Sequence, residues 1–387
     1  MIRDKFRSLL LFSLLLCLTP GIRAAFAADQ SFEARFESIV DQLNKGSKEE
    51  FIEDLDVDAI LQRAFDGLDL DPGVRSRFAN NVIRGKKNIV SSFVRRTPEG
   101  SYTKLLKVRV NGDRATALVR YDLGRLGYGY HQYELVKDDA GNIRIVDWLD
   151  YTAGRTYSEM LRQSVVTYDP TDSSVRGLVK SYDGNDKSYA RLAELMQAVR
   201  DKDFSSYKRI EPSLDRALRY SLFMHLLNCD IGKMSRDQNQ YNNAYRKLEN
   251  NFGDNPALAL MLMNYRISKG DFDDLGDSLR QLQQAFGVRD AAVLLLMSRA
   301  ALGSRHTDDA AVLADEAISI EPQLESAYWA AINAHVLLQH YSFAVSTARS
   351  LEDQFDKSLE RELFEKNGRY ANFVKSPQYE QWQAGNE

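Results

Sequence analysis

Tyr121, Asp122, Tyr128, Tyr130, His131, Asp147 and Trp148 form the densest set of groups in the chain that could move a proton. A carboxylate, an imidazole and several phenols in one place would supply both an acid and a base. Their spacing argues against a single site. The stretches that carry them alternate with a period near two, so Tyr128 and Tyr130 share one face of a sheet and His131 points to the other. A sheet with an aromatic inner face and a charged outer face accounts for these residues without catalysis. A small-ligand pocket in this region would be lined by Tyr121, Tyr128, Tyr130 and Trp148.

The sharper signatures of chemistry are missing. The sequence holds no HExxH, CxxC or GxSxG, and no glycine loop ending in Lys-Ser or Lys-Thr. "GRLGYGY", Gly124 to Tyr130, joins two strands and opens no helix, so it reads as a hairpin connection rather than a phosphate loop. Asp69 and Asp71 alternate like part of a calcium loop, yet no glutamate closes it at the required distance. The five histidines are dispersed, and His335 and His340 fall on different sides of a helix. No metal, zinc included, and no cofactor is expected, and the chain reads as more plausibly non-enzymatic. Arg84, Lys86, Lys87, Arg95 and Arg96 cluster in "RGKKNIVSSFVRR", which reads as a solvated helix face.

The elements that must position these groups follow from periodicity. From Ser31 to about Arg96 apolar residues recur at three and four spacing, the pattern of helices. Then "SYTKLLKVRV", "DRATALVRYDL", "GYGYHQYELVKD" and "NIRIVDWLDY" alternate and are rich in Val, Tyr and Thr, with turn signals between them. They predict a four-stranded antiparallel meander, bent around the preceding helices. Helices followed by a curved meander resemble the cone-shaped NTF2-like domains, over residues 31 to about 165, and that resemblance implies an α+β fold that often encloses a pocket. A cystatin-like sheet on one helix is the alternative. Beyond Tyr168, a stretch rich in Asp, Ser and Gly reads as a linker over 168–186.

Everything after that linker is helical, and it repeats. In "DDAAVLADEAISIEP", Ala310, Ala314 and Ala317 lie on one helical face, the smallest side chains that can be buried there. Ala344, Ala348 and Leu351 recur one period later, and Leu275, Leu279 and Leu282 one period earlier, with anchors Leu275, Ala310 and Ala344 spaced by 35 and 34. Another helix precedes each, as in "PALALMLMNYRISKGDF" and "ESAYWAAINAHVLLQHY". A period near 34, two antiparallel helices per unit and small residues in both resemble the tetratricopeptide repeat, although the glycine usual within the first helix is Met263, Ser298 and Ile332 here. The predicted organisation is a signal peptide over 1–27, an NTF2-like α+β domain over 28–167, the linker, and an all-α helical repeat array of tetratricopeptide type over 187–387. The tail with Phe373 and Tyr379 reads as a cap.

Composition agrees with a folded chain: 387 residues, 44% hydrophobic and 27% charged, with a formal net charge of −4 and no basic stripe to engage nucleic acid. The first residues are of another kind. Arg3, Lys5 and Arg7 precede the apolar run "LLLFSLLLCL", and small residues follow at Ala25 and Ala27, the layout of a cleavable secretory signal. An uncleaved anchor and lipidation at Cys17 are the alternatives, the second weakened by Leu16. Cleavage after Ala27 would make the protein periplasmic or secreted, with no transmembrane segment in the mature chain. Cys229 would then be its only cysteine, set in an apolar helical run as a buried hydrophobe.

Function follows from the repeats. In stacked helix pairs the first helices line the concave face, and Asn264, Arg299 and Asn333 recur there at 35 and 34 spacing. Tetratricopeptide grooves commonly place amides and cations at such positions, which the resemblance implies for these three, with Trp329 as an apolar wall. The expectation is an exported, non-catalytic scaffold that binds a protein or peptide partner in this groove. A small-ligand or enzymatic NTF2-like domain, with repeats used for localisation, is the alternative.

Overall fold

A computed structural model describes residues 31–89, 102–122, 124, 127–179, 182 and 184–384. The signal segment with Cys17 and Ala27, and Arg95 and Arg96, lie outside the described residues. Among the described residues the first elements are four helices, α1 (Phe32–Asn44), α2 (Glu49–Asp54), α3 (Val57–Phe65) and α4 (Pro72–Arg84). Ser31, Asp56 and Asp71 cap α1, α3 and α4 by accepting a main-chain N–H three residues on, and Pro72 stands where a helix has no donor to lose. In α1, Phe32, Phe36, Ile39, Val40 and Leu43 form the buried stripe.

Antiparallel strands β1 (Thr103–Asn111), β2 (Arg114–Asp122), β3 (Tyr128–Lys137) and β4 (Ile143–Asp150) form the expected meander, and a short fifth strand, β5 (Arg155–Thr156), adds to its edge. Register shifts, which bend a sheet, occur where β1 carries the extra residue Leu106 against β2 and where β4 carries the extra residue Val146 against β3. The sheet's inner face, with Ala117, Val119, Tyr121, Tyr133, Leu135, Ile145 and Trp148, packs on α1, α3 and the following helix α5 (Tyr157–Tyr168). The other face is not the solvated, charged surface that alternation suggests. Leu118, Tyr128, Tyr130 and Tyr151 are buried against the repeats. Two covered faces explain why β2 reads as a nearly continuous buried run.

The stretch expected as a linker contains α6 (Asp172–Leu178), in which Val175 is fully buried. Its threonine cap, Thr171, and the apolar pair Val175 and Val179 are enough for a short packed helix, despite the Asp- and Ser-rich composition. One apolar cluster then runs from Phe32 through the sheet to Leu192, Met196 and Ile231 in the first repeats.

Five antiparallel helix pairs follow: α7 (Asp186–Arg200) with α8 (Phe204–Ile210), α9 (Leu222–Ser235) with α10 (Gln238–Phe252), α11 (Ala259–Lys269) with α12 (Phe272–Phe286), α13 (Ala291–Gly303) with α14 (Thr307–Ile320), and α15 (Glu325–Leu337) with α16 (Tyr341–Phe355). The turn inside each pair holds one residue in the left-handed conformation, namely Lys202, Arg236, Gly270, Arg305 and Gln339. These five recur every 34 or 35 residues, so all five pairs share one register. Ala310, Ala314, Ala317, Ala344 and Ala348 are buried, as their face requires. The array ends in α17 (Arg361–Glu365) and α18 (Pro377–Ala384), whose Phe364, Tyr379 and Trp382 join Tyr370 and Phe373 in an aromatic cap. Among the described residues no helix is long and apolar enough to cross a membrane.

Candidate functional site

The expected row lies on the first helices of three successive pairs, Asn264 on α11, Arg299 on α13 and Trp329 and Asn333 on α15. Its members have different fates. Asn264 and Arg299 are exposed, and among the described residues neither side chain has a hydrogen-bond or ion-pair partner. Arg299 neighbours Tyr128 at the start of β3, whose hydroxyl is pushed up mainly by burial, with Ser326 alongside. Asn333 and Trp329 are half-buried and engaged. The Asn333 carboxamide donates to the Trp329 carbonyl at 2.7 Å and accepts from the Tyr370 hydroxyl at 2.7 Å. Trp329 donates from its indole N–H to Glu325 at 3.1 Å and packs its ring beside Phe364 at 6.1 Å between centroids. The chain's own C-terminal segment therefore closes that end of the groove, and the open part is centred on Arg299 and Asn264.

The tyrosine-rich set does not form one pocket. Tyr121 and Trp148 face the helices, whereas Tyr128 and Tyr130 face the repeats. Alternation forces that division, as it did for His131, which lies with Tyr121 and Tyr133. The interior of the bent sheet is filled by Phe36, Phe51, Tyr121, Tyr133 and Trp148, all nearly inaccessible to solvent. Burial raises the phenols of Tyr121 and Tyr133 well above their ordinary range, so neither is poised to give up a proton. Asp147 is also raised by burial, and its oxygens are taken by the Ser158 hydroxyl, the Ser158 N–H at 3.1 Å and the Trp148 N–H at 2.9 Å. Burial pushes the Cys229 thiol up to about 12, which fits a packing residue and not a nucleophile. Among the described residues no group of three or more His, Cys, Asp or Glu could hold a metal ion.

Sequence reasoning missed the polar centre of the molecule. Arg120 on β2 is wholly buried, and its guanidinium donates to Asp290 at 2.6 Å and to Glu321. The Tyr130 hydroxyl donates to the second Asp290 oxygen at 2.5 Å, and Lys104 and Tyr102 also reach Glu321. Withdrawal from water pushes the Glu321 carboxyl up to about 7. Asp290 caps α13 by accepting from the Val293 N–H at 3.3 Å, and Glu321 ends α14. The sheet thus grips the turns that join successive pairs, helped by Arg109, which donates to the Phe286 carbonyl at 2.7 Å, and by Tyr130 packed on Phe286. An arginine at an outward strand position and an aspartate before "AAVLL" were visible separately. Their union across 170 residues was not.

No protein-family model matches the chain, and no curated protein matches it. Among solved structures, it is similar to the crystal structure of PilW, described as a widely conserved type IV pilus biogenesis factor. The likeness covers 52% of this chain and 93% of that one, at 10% identity and a TM-score of 0.32. So weak a likeness carries no argument about this chain's fold or its role.

Proposed function

We propose that the protein is an exported, non-catalytic scaffold of tetratricopeptide type that holds a protein or peptide partner on the first-helix face of its repeats. One observation carries this reading: Arg299 stands exposed beside Tyr128 with no ion-pair partner among the described residues, whereas the buried Arg120 is paired with Asp290 and Glu321. A guanidinium there pairs a carboxylate in two parallel bonds, and the exposed Asn264 amide on the preceding first helix suits a main-chain group. Export rests on the layout of residues 1–27, and the division into residues 28–167 and 187–387 on the change of sequence pattern. The alternative, a ligand pocket inside an NTF2-like cone, has less support, because aromatic side chains occupy that interior.

The test is capture of partners by tagged protein purified from a bacterial envelope fraction, where its mass should lack about the first 27 residues. Arg299→Ala should weaken the captured complex by roughly 1.5 to 3 kcal/mol, the range for a hydrogen bond to a charged group, while the circular dichroism melt stays unchanged. Asn333→Ala should act in the opposite sense, lowering the melt through the lost Trp329 and Tyr370 bonds more than it lowers capture. Equal capture by wild type and Arg299→Ala would remove the groove from consideration.

A further inference from the structure

The second helices α12 and α14 stand apart on the side of the array opposite the first-helix row, and α13 forms the floor between them. The cleft has a volume of about 510 Å³, within the range of ligand sites. Its floor is apolar, with Leu294, Met297 and Leu313, and Val312 extends that surface to the rim at 65% exposure. At the rim Arg280 pairs with Asp277 and Arg289 with Glu316, while the carboxylates of Asp273, 3.7 Å from His306, and of exposed Asp309 give the mouth an acidic edge that disfavours an anion. The unmatched group withdrawn from solvent is a dipole. The Gln283 carboxamide, on the α12 wall, has both its nitrogen and its oxygen withdrawn from solvent with no hydrogen-bond partner. Buried polar groups nearly always have partners, so an unanswered donor and acceptor side by side call for explanation.

The complement of a carboxamide is another amide, one N–H and one C=O in a single plane, and its terminal torsion is soft enough to turn towards an occupant. We propose that this outer cleft is a second binding site, which takes an extended polypeptide segment of a partner: one main-chain amide pairs with Gln283 and one large apolar side chain seats on Met297 and Leu294. The flexible thioether of Met297 lets the floor adapt to different apolar side chains. Gly276, on the same wall, borders this open mouth: a Cβ there would meet nothing nearer than an Arg280 nitrogen at 4.0 Å.

Two capped peptides test the site, acetyl-Ala-Leu-Ala-amide and its Ala-Gly-Ala counterpart, titrated into the purified protein while the methyl signals of Met297 and Leu313 are followed by NMR. The leucine peptide should shift both signals saturably and bind at least about fivefold more tightly than the glycine peptide, since burying one leucine side chain is worth more than 1 kcal/mol. Gln283→Leu should weaken it severalfold, and Gly276→Leu, which fills the cleft, should abolish the shifts. Arg299→Ala should leave them unchanged, which separates this site from the first-helix groove. Equal response to the two peptides, an unaltered response in Gln283→Leu, or no shift at either methyl would overturn the proposal; the peptide pair decides the matter even if Gly276→Leu fails to fold.

Discussion

Arg120 shows how much a single residue does at the junction of sheet and repeats. Its guanidinium is the shared partner of Asp290 and Glu321, both almost completely buried. Removing it leaves two carboxylates in a medium that strongly disfavours them, so Arg120→Ala should destabilise the protein by about 3 to 5 kcal/mol in urea unfolding. The triple variant Arg120→Met, Asp290→Asn, Glu321→Gln should recover much of that loss, because it removes the charges together. An Arg120→Ala loss below about 1 kcal/mol would mean that water reaches the pair. At this scale the sequence disclosed residue types and strand faces well. Alternation separated Tyr128 and Tyr130 from His131, and the apolar setting of Cys229 marked it as core. It could not disclose that the strand's outer face is covered, because the covering residues lie more than 150 positions away and no local pattern encodes them.

Among the elements, the helix pairs were legible because small buried side chains recur with a fixed period, and the strands because alternation is a local signal. The turns were not. Of the five left-handed positions that set the repeat register, only Gly270 is a glycine, while Lys202, Arg236, Arg305 and Gln339 hide the same conformation behind side chains that usually avoid it. The short helix α6 was hidden in the same way, by a composition that suits a loop. Two glycines next to each other in the array should respond oppositely to one substitution. Gly270→Ala forces a Cβ into the left-handed region at φ +75° and should cost about 1 to 2 kcal/mol. Gly276→Ala, inside α12 and facing open space, should stabilise by about 0.5 to 1 kcal/mol. Thermal melts of the two variants measure the contrast, and shifts of the same sign would show that the turn or the helix is not built as described.

On the scale of the whole molecule, the sequence pattern changes at the 168–186 stretch while the packing does not. The apolar cluster that begins at Phe32 includes Tyr189, Leu192, Leu195, Met196 and Leu227, so the first two helix pairs complete the core of the sheet domain. A second cluster joins Leu118, Tyr128, Tyr130 and Tyr151 to Leu275, Phe286 and Leu294, and the Arg120 group ties the same two regions. Separating the parts would expose both apolar surfaces and leave Asp290 and Glu321 without their cation, a cost of several kcal/mol beyond what one domain of ordinary marginal stability can bear. The two regions should therefore unfold in one transition. Trp148 reports on the sheet, and Trp329 and Trp382 report on the far end of the array. A Trp148→Phe variant and a Trp329→Phe, Trp382→Phe variant let fluorescence follow each region alone in urea. Within each variant that signal should change at the same midpoint as the far-ultraviolet circular dichroism, which reports the helices of the whole chain. Fluorescence and dichroism midpoints separated by more than about 0.5 M urea in either variant would show that the helical array holds its fold without the sheet, and would return the 168–186 stretch to the role of a boundary between independent units.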